Sequence, residues 1–137
     1  MKSERDLRRL VSRNMPGGWF YWFIEPRDEG GSSPGFPDLV ILPPPNLSRF
    51  PIFLELKFLR DDKRRLERVT IRKTQKRTMK IMRRCRQRML FLIAYADTDV
   101  LDLCGYNDKL ELGSLWSGNI DGLFDTLMKR KNPYQLT

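Results

Sequence analysis

Two short apolar runs, residues 39–42 and 52–56, carry between them an aspartate, a glutamate and a lysine, Asp38 just ahead of the first, Glu55 within the second and Lys57 just after it, and no other feature constrains the fold as much. Gly35-Phe36-Pro37-Asp38 leads into the first run, and the second reads Phe53-Leu54-Glu55-Leu56-Lys57. Side chains two apart in a strand share a face, so Glu55 and Lys57 point together while Leu54, Leu56 and Phe58 point the other way. Pro43-Pro44-Pro45 interrupts the chain between the runs. An antiparallel return would bring Asp38, at the mouth of the first strand, beside Glu55. Two carboxylates and an ammonium at one sheet edge suit a hard divalent cation with a base or charge stabiliser next to it. A Glu-x-Lys pair alone is more often a solvated ion pair. The Pro-Asp ahead of one apolar run, the Glu and Lys inside the next and the basic chain together favour phosphodiester chemistry.

The charge balance agrees with a polyanionic partner. Lys and Arg total 26 against 17 Asp and Glu, a net charge of +9 over 137 residues, which favours nucleic acid through counterion release. An anionic membrane fits less well, because no apolar run is long enough to cross a bilayer and no basic helix shows a bulky apolar face. Histidine is absent, which excludes His-dependent nuclease chemistry and disfavours zinc. Cys85 and Cys104 have no metal-ligand spacing and read as reduced, buried thiols of an intracellular protein. No secretory signal is visible. The length suits one domain, residues 1–137, with a sheet and packed helices.

Ser3 and Asp6 mark the start of a helix over residues 3–14, with Leu7, Leu10 and Val11 on its buried side and Pro16-Gly17-Gly18 ending it. Glu4 shares roughly the face of Leu7 and Val11. It could reach a metal site, or it could simply be a carboxylate favoured by the helix dipole. The aromatic residues 19–24 read as a first strand, buried on both faces or nearly so. Gly30, Gly31, Ser32, Ser33 and Pro34 form a loop just ahead of Asp38, whose hydroxyls could touch phosphate or merely close a turn. Strand character resumes over residues 52–58, and the charged stretch 60–70 has no firm placement.

Residues 71–88 make the best helix. Ile71, Thr74, Gln75, Thr78, Ile81, Met82, Cys85 and Met89 fall on one arc, read as sheet-facing. Arg72, Lys73, Lys76, Arg77, Lys80, Arg83 and Arg84 cover the other side and form a candidate phosphate-backbone surface. Gln75, on the apolar arc, needs partners, since an unpaired buried amide costs about 1–3 kcal/mol; a place beside the carboxylates would supply them. Strands follow at 90–96 and 100–106. Ile120, Leu123, Phe124, Leu127 and Met128 mark a C-terminal helix, packed in the core or offered to a second copy, with Lys129-Arg130-Lys131 as its basic end.

Pro37-Asp38 with Glu55-Leu56-Lys57 resembles the PD-(D/E)XK nuclease superfamily. Gly35-Phe36-Pro37-Asp38, Glu55-Leu56-Lys57 and Gln75 resemble the VRR-type nuclease family within it, and Glu4-Arg5 with Leu7 is similar to the first helix of archaeal-type Holliday junction resolvases. The resemblance runs from Glu4 to about Tyr95. It implies an α/β, restriction-endonuclease-like core, a mixed central sheet flanked by helices, matching the order helix, three strands, helix, strand. It also implies an Mg²⁺-dependent endodeoxyribonuclease, with Mn²⁺ able to substitute. Asp38, Glu55 and the Leu56 carbonyl would ligate the metal, and Glu4 would hold a water on it. Lys57 would orient or deprotonate the attacking water or offset charge on the phosphate, with Gln75 fixing it. The expected substrate is branched DNA, above all the four-way junction, cut by a homodimer in a bacterial cell or as a phage-encoded protein. A less selective nickase or flap endonuclease, and an idle nucleic-acid-binding protein of the same fold, are the rivals.

Overall fold

The computed structural model describes residues 1–24, 35–48 and 50–129. Helix α1 spans Glu4–Arg13, and strands β1, β2 and β3 span Phe20–Phe23, Leu39–Leu42 and Ile52–Leu59. Helix α2 is Lys73–Arg84, followed by β4 (Arg88–Tyr95), β5 (Thr98–Tyr106), β6 (Leu112–Gly118) and α3 (Leu123–Lys129). Short 3₁₀ turns sit at Leu66–Arg68 and Ile120–Gly122. The six strands lie in sequence order in one sheet. Only β3 and β4 run parallel, and a parallel pair needs a crossover, which α2 provides. Among the described residues no helix is long and apolar enough to cross a membrane.

Period-two alternation sorts the strands onto two faces. Leu39, Ile41, Leu54, Leu56, Leu90 and Leu92 face α1 and α3, where Leu7, Val11, Leu123, Phe124 and Leu127 meet them. Phe91, Ile93, Tyr95, Cys104 and Tyr106 face α2 through Met79 and Met82. Burying a large apolar side chain contributes about 1.5–3 kcal/mol, so these layers hold the sheet. Ser3 caps α1 as its sequence suggests, its Oγ accepting from the Asp6 N–H at 3.2 Å, while the Asp6 carboxylate accepts from the Lys2 N–H at 2.9 Å.

Several expectations need correction. The aromatic strand is not buried on both faces: β1 is an edge strand, and Phe20 and Trp22 are 66% and 54% exposed. Tyr21 and Phe23 do pack inward, and Trp19 meets Phe124 edge to face. Helix α2 ends at Arg84; Arg86 turns the chain with a positive φ, so Arg88 and Met89 open β4. Cys85 is exposed while Cys104 is buried. The apolar stripe of α3 lies in the core, with Ile120 and Met128 partly buried against it, so it is not an open face for a second copy. Strand β6 went unpredicted because Leu-Gly-Ser-Leu-Trp-Ser-Gly is half polar. Its serines are held by Asp102 of β5, which accepts from Ser114 Oγ at 3.0 Å, and from Ser117 and the Tyr95 hydroxyl.

Candidate active site

The β2–β3 ladder runs Ile41↔Ile52, Val40↔Phe53, Leu39↔Leu54, so its next step sets Asp38 against Glu55. There the ladder gives way to side chains. The Asp38 N–H donates to Glu55 Oε1 at 3.1 Å, and the Leu56 N–H donates to Asp38 Oδ2 at 2.9 Å. A strand residue presents its N–H and C=O to the same edge, so the Leu56 carbonyl opens toward Asp38. Gly35 makes this approach possible. Its φ is +87°, and a Cβ there would stand 2.4 Å from the Thr74 carbonyl oxygen, so only glycine fits where the strand entry crosses the start of α2.

Lys57 lies on the same face, its Nζ 3.4 Å from Glu55 Oε2 and donating to Gln75 Oε1 at 3.0 Å. The Gln75 amide donates in turn to Glu55 Oε2 and accepts the Arg72 N–H at 3.1 Å. Gln75 therefore touches the carboxylate cluster and also satisfies backbone at the start of α2. Glu55 and Gln75 are buried. Burial, and next the Asp38 charge, push the Glu55 carboxyl up to about 8, with Lys57 opposing. Glu4, an exposed residue as a whole, has a carboxyl raised first by local packing and then by Asp38, and lowered by Lys57, Arg8 and Arg72. It stands within electrostatic reach of the cluster from the first turn of α1.

The donor set fits a hard divalent cation. Among the described residues no group of three or more His, Cys, Asp or Glu side chains is placed to hold a metal ion. Mg²⁺ commonly takes one or two carboxylates from a protein, and Asp38, Glu55 and the Leu56 carbonyl would be the groups here to hold it. A buried carboxyl forced up beside a second one is a pair that added positive charge would relax.

Among the candidate DNA contacts, Arg72, Lys73, Lys76, Arg77, Lys80 and Arg84 are exposed on α2. Arg83 is half-buried, and its Nη1 donates to the Tyr106 carbonyl at 3.1 Å, tying α2 to β5. Ser32, Ser33, Arg130 and Lys131 lie outside the described residues. Lys129 ends α3, on the far side of the sheet from α2. The stretch 60–70 could not be placed from sequence, yet the structure gives it a fixed turn. The Asp61 carboxylate accepts from the Arg65 N–H at 2.9 Å and Arg65 Nε at 3.0 Å, and the Arg65 guanidinium holds it well below the usual carboxylate range. Arg64, at a positive φ, stands over the Tyr95 ring, and Arg60 donates to the Lys2 carbonyl at 2.9 Å. The readable signal was Asp61 four residues ahead of Arg65.

No protein-family model matches the chain, and no curated protein does. Among solved structures it is similar to Archaeoglobus fulgidus Hjc, a Holliday junction resolvase from an archaeal hyperthermophile. The TM-score is 0.52 with 11% sequence identity, over 89% of this chain and 98% of that one. The chain has the restriction-endonuclease-like fold. The α/β core implied by the Pro37-Asp38 and Glu55-Leu56-Lys57 motifs is therefore present, and its two motifs meet where β2 and β3 part.

Proposed function

We propose that this chain is a divalent-cation-dependent endodeoxyribonuclease of the PD-(D/E)XK type, closest in motif to the VRR-type family, acting as a homodimer on branched DNA and above all on the four-way junction. One observation carries the reading. Asp38, Glu55, Lys57 and Gln75, spread over 38 positions of sequence, share one hydrogen-bonded cluster on one sheet face.

Asp38, Glu55 and the Leu56 carbonyl would hold Mg²⁺, with Mn²⁺ able to replace it. When bound, the cation activates water and offsets phosphate charge. The chain's own residues supply the remainder. Gln75 pins Lys57, so the ammonium meets the phosphate already oriented and needs no reorganisation as charge develops there. Lys57 orients the attacking water and balances the growing negative charge. Glu4 offers a carboxylate at the rim to hold that water. The exposed basic side of α2 contacts phosphates without reading sequence, which suits recognition of DNA shape. Each chain carries this set once, whereas resolving a junction takes paired cuts, hence the twofold dimer.

The test is cleavage of labelled four-way, flap, mismatched and linear duplex DNA in Mg²⁺, Mn²⁺, Ca²⁺ and EDTA, with Asp38→Asn and Glu55→Gln alongside. Cleavage in Mg²⁺ and Mn²⁺ only, strongest on the junction and lost in both variants while DNA binding persists, is the expected result. Full activity in either variant or in EDTA would remove the nuclease reading. Equal rates on linear duplex and junction would keep the enzyme but make it a general endonuclease.

A further inference from the structure

The arginines of α1 take no part in the site as built so far. Arg5 and Arg9 are exposed and Arg8 is half-buried. With Glu4 they line an open hollow of about 500 Å³. Among the described residues none of the three forms an ion pair or donates a side-chain hydrogen bond. Arg8 is the informative one. Glu4 precedes it by four residues, the spacing and order at which the two would pair on a helix surface. Arg8 turns away instead, its guanidinium carbon lying over the Phe23 ring at 4.6 Å from the centroid. A cation over an aromatic face is held at least as firmly as an exposed ion pair, so the ring keeps Arg8 off Glu4.

The fold puts this arginine beside the candidate site. Helix α1 lies along β1, with Ser12 Oγ 3.0 Å from the Tyr21 hydroxyl and Arg8 over Phe23. Phe23 pairs with Leu39, and the next residue, Ile24, donates its N–H to the Asp38 carbonyl at 2.8 Å. Arg8 therefore stands one helical turn from Glu4, over the end of the strand that borders the entry to β2. Helices α1 and α2 pack on opposite faces of the sheet. Glu4 feels the charge of Arg8 from its own helix and of Arg72 from the start of α2, together with Asp38 and Lys57. The mouth between β2 and β3 thus has a cation on each side.

We infer that Arg8, aimed by Phe23, binds a second phosphodiester of the DNA strand, one or two nucleotides from the phosphate at the Asp38–Glu55 cluster. Covering the ring uses the stem and one flat face of the guanidinium. It does not use the five N–H donors, which lie in the guanidinium plane and match two phosphate oxygens at once. The spacing agrees. One turn of α1 is about 5.4 Å, and a duplex strand advances about 3.4 Å per nucleotide. A backbone laid across the mouth then meets Arg8 on the α1 side of the sheet and the basic side of α2 on the other. Contacts on both sides of the bond to be cut fix the direction of the strand as well as its position, which is what an in-place nucleophile requires.

The inference rests on the proposed nuclease reading for the register of the strand, so binding and cleavage are read separately. In EDTA, a labelled four-way junction titrated across a salt series should bind Arg8→Gln about 10-fold or more weakly than wild type. The log–log salt slope should be flatter by about 0.9. Arg8→Lys, which keeps the charge and loses the planar fork, should keep the slope, and both variants should melt cooperatively. In Mg²⁺, one uncharged methylphosphonate linkage placed one or two nucleotides from the mapped cut should slow the wild type about 10-fold and slow Arg8→Gln no further. An Arg8→Gln slope equal to wild type would overturn the inference. So would an Arg8→Lys slope as flat as that of Arg8→Gln, or a methylphosphonate effect that persists in full in Arg8→Gln; Arg8 would then be cover for Phe23 alone. Binding that depends on Arg8 in a wild type that cuts nothing in Mg²⁺ would remove the nuclease reading and leave the phosphate contact standing.

Discussion

The cost of charging Glu55 can be measured as a stability difference. Its carboxyl is buried beside Asp38 and pushed up to about 8 from an ordinary 4.5. The native state therefore holds a proton that the unfolded chain releases near pH 4.5. Below that pH both states are protonated and no penalty exists; as pH rises through 4.5 toward 8 the unfolded state gains by ionising, and stability is lost. At about 1.4 kcal/mol per pH unit the full penalty is on the order of several kcal/mol, and relaxation around the site will reduce it. At roughly 3–5 °C per kcal/mol for a chain of this size, metal-free protein should melt about 10 °C lower at pH 8.5 than at pH 5. Glu55→Gln removes the titration but also sets an NH₂ group against the Asp38 N–H. That loses a hydrogen bond worth about 1 kcal/mol at every pH, shifting the variant's curve without adding slope. The assay is a thermal melt across pH 5–8.5 in EDTA, repeated with Mg²⁺. Mg²⁺ should raise the wild-type melting point most at the alkaline end, and the variant's hardly at all. Parallel pH profiles for the two proteins would show that Glu55 is not held protonated, and the electrostatic case for a cation site would fall with it.

Other perturbations separate chemistry from structure. Lys57→Ala should lower the cleavage rate by orders of magnitude with the fold intact, read by kcat against a cooperative melt. Gln75→Ala should cost less in rate but about 1–3 kcal/mol in stability, because the buried Glu55 loses its amide partner; an unchanged melt would refute that. Alanine at Arg72, Lys73, Lys76 and Lys80 should flatten the log–log salt dependence of duplex binding by about 0.9 per lost phosphate contact. Arg83→Ala should leave that slope alone and lower stability, since its guanidinium is committed to Tyr106. Gly35→Ala should destabilise by more than about 1 kcal/mol, combining a positive φ with a clash against Thr74; a wild-type melting point would refute the close approach.

The parts of this fold legible in sequence are those where a local rule and the tertiary result coincide. Leu54, Leu56 and Phe58 alternate with Glu55 and Lys57, and the sheet uses both faces as that alternation implies. Asp38 could be set against Glu55 because a proline break between two short apolar runs leaves an antiparallel return as the simplest path. What failed were statements about which face is covered. Phe20 and Trp22 look like core residues to any composition argument, but edge position is decided by strand order, which no local pattern encodes. Ile81 and Cys85 lie on a genuine helical stripe; whether a stripe meets the sheet depends on where the helix axis sits, and Met79 and Tyr106 place it over β4 and β5. Strand β6 was invisible because its sequence is half polar, with two of its serines meeting Asp102 of another strand.

Gln75 shows why the site and the fold cannot be separated. Its Oε1 accepts from the Arg72 backbone and from Lys57, and its NH₂ donates to Glu55. The group between an ammonium and a carboxylate must accept on one side and donate on the other. A neutral amide does both, whereas an ionised glutamate could only accept and would add negative charge beside the Asp38–Glu55 pair. The same oxygen also satisfies an N–H at the start of α2, one of the backbone donors a helix leaves without an internal partner. The first turn of α2 therefore carries the group that orients Lys57, so the crossover from β3 to β4 and the cluster share one residue. That coupling explains how Lys57 can be only partly buried and still be held in place: its orientation is fixed from the buried side, through Gln75.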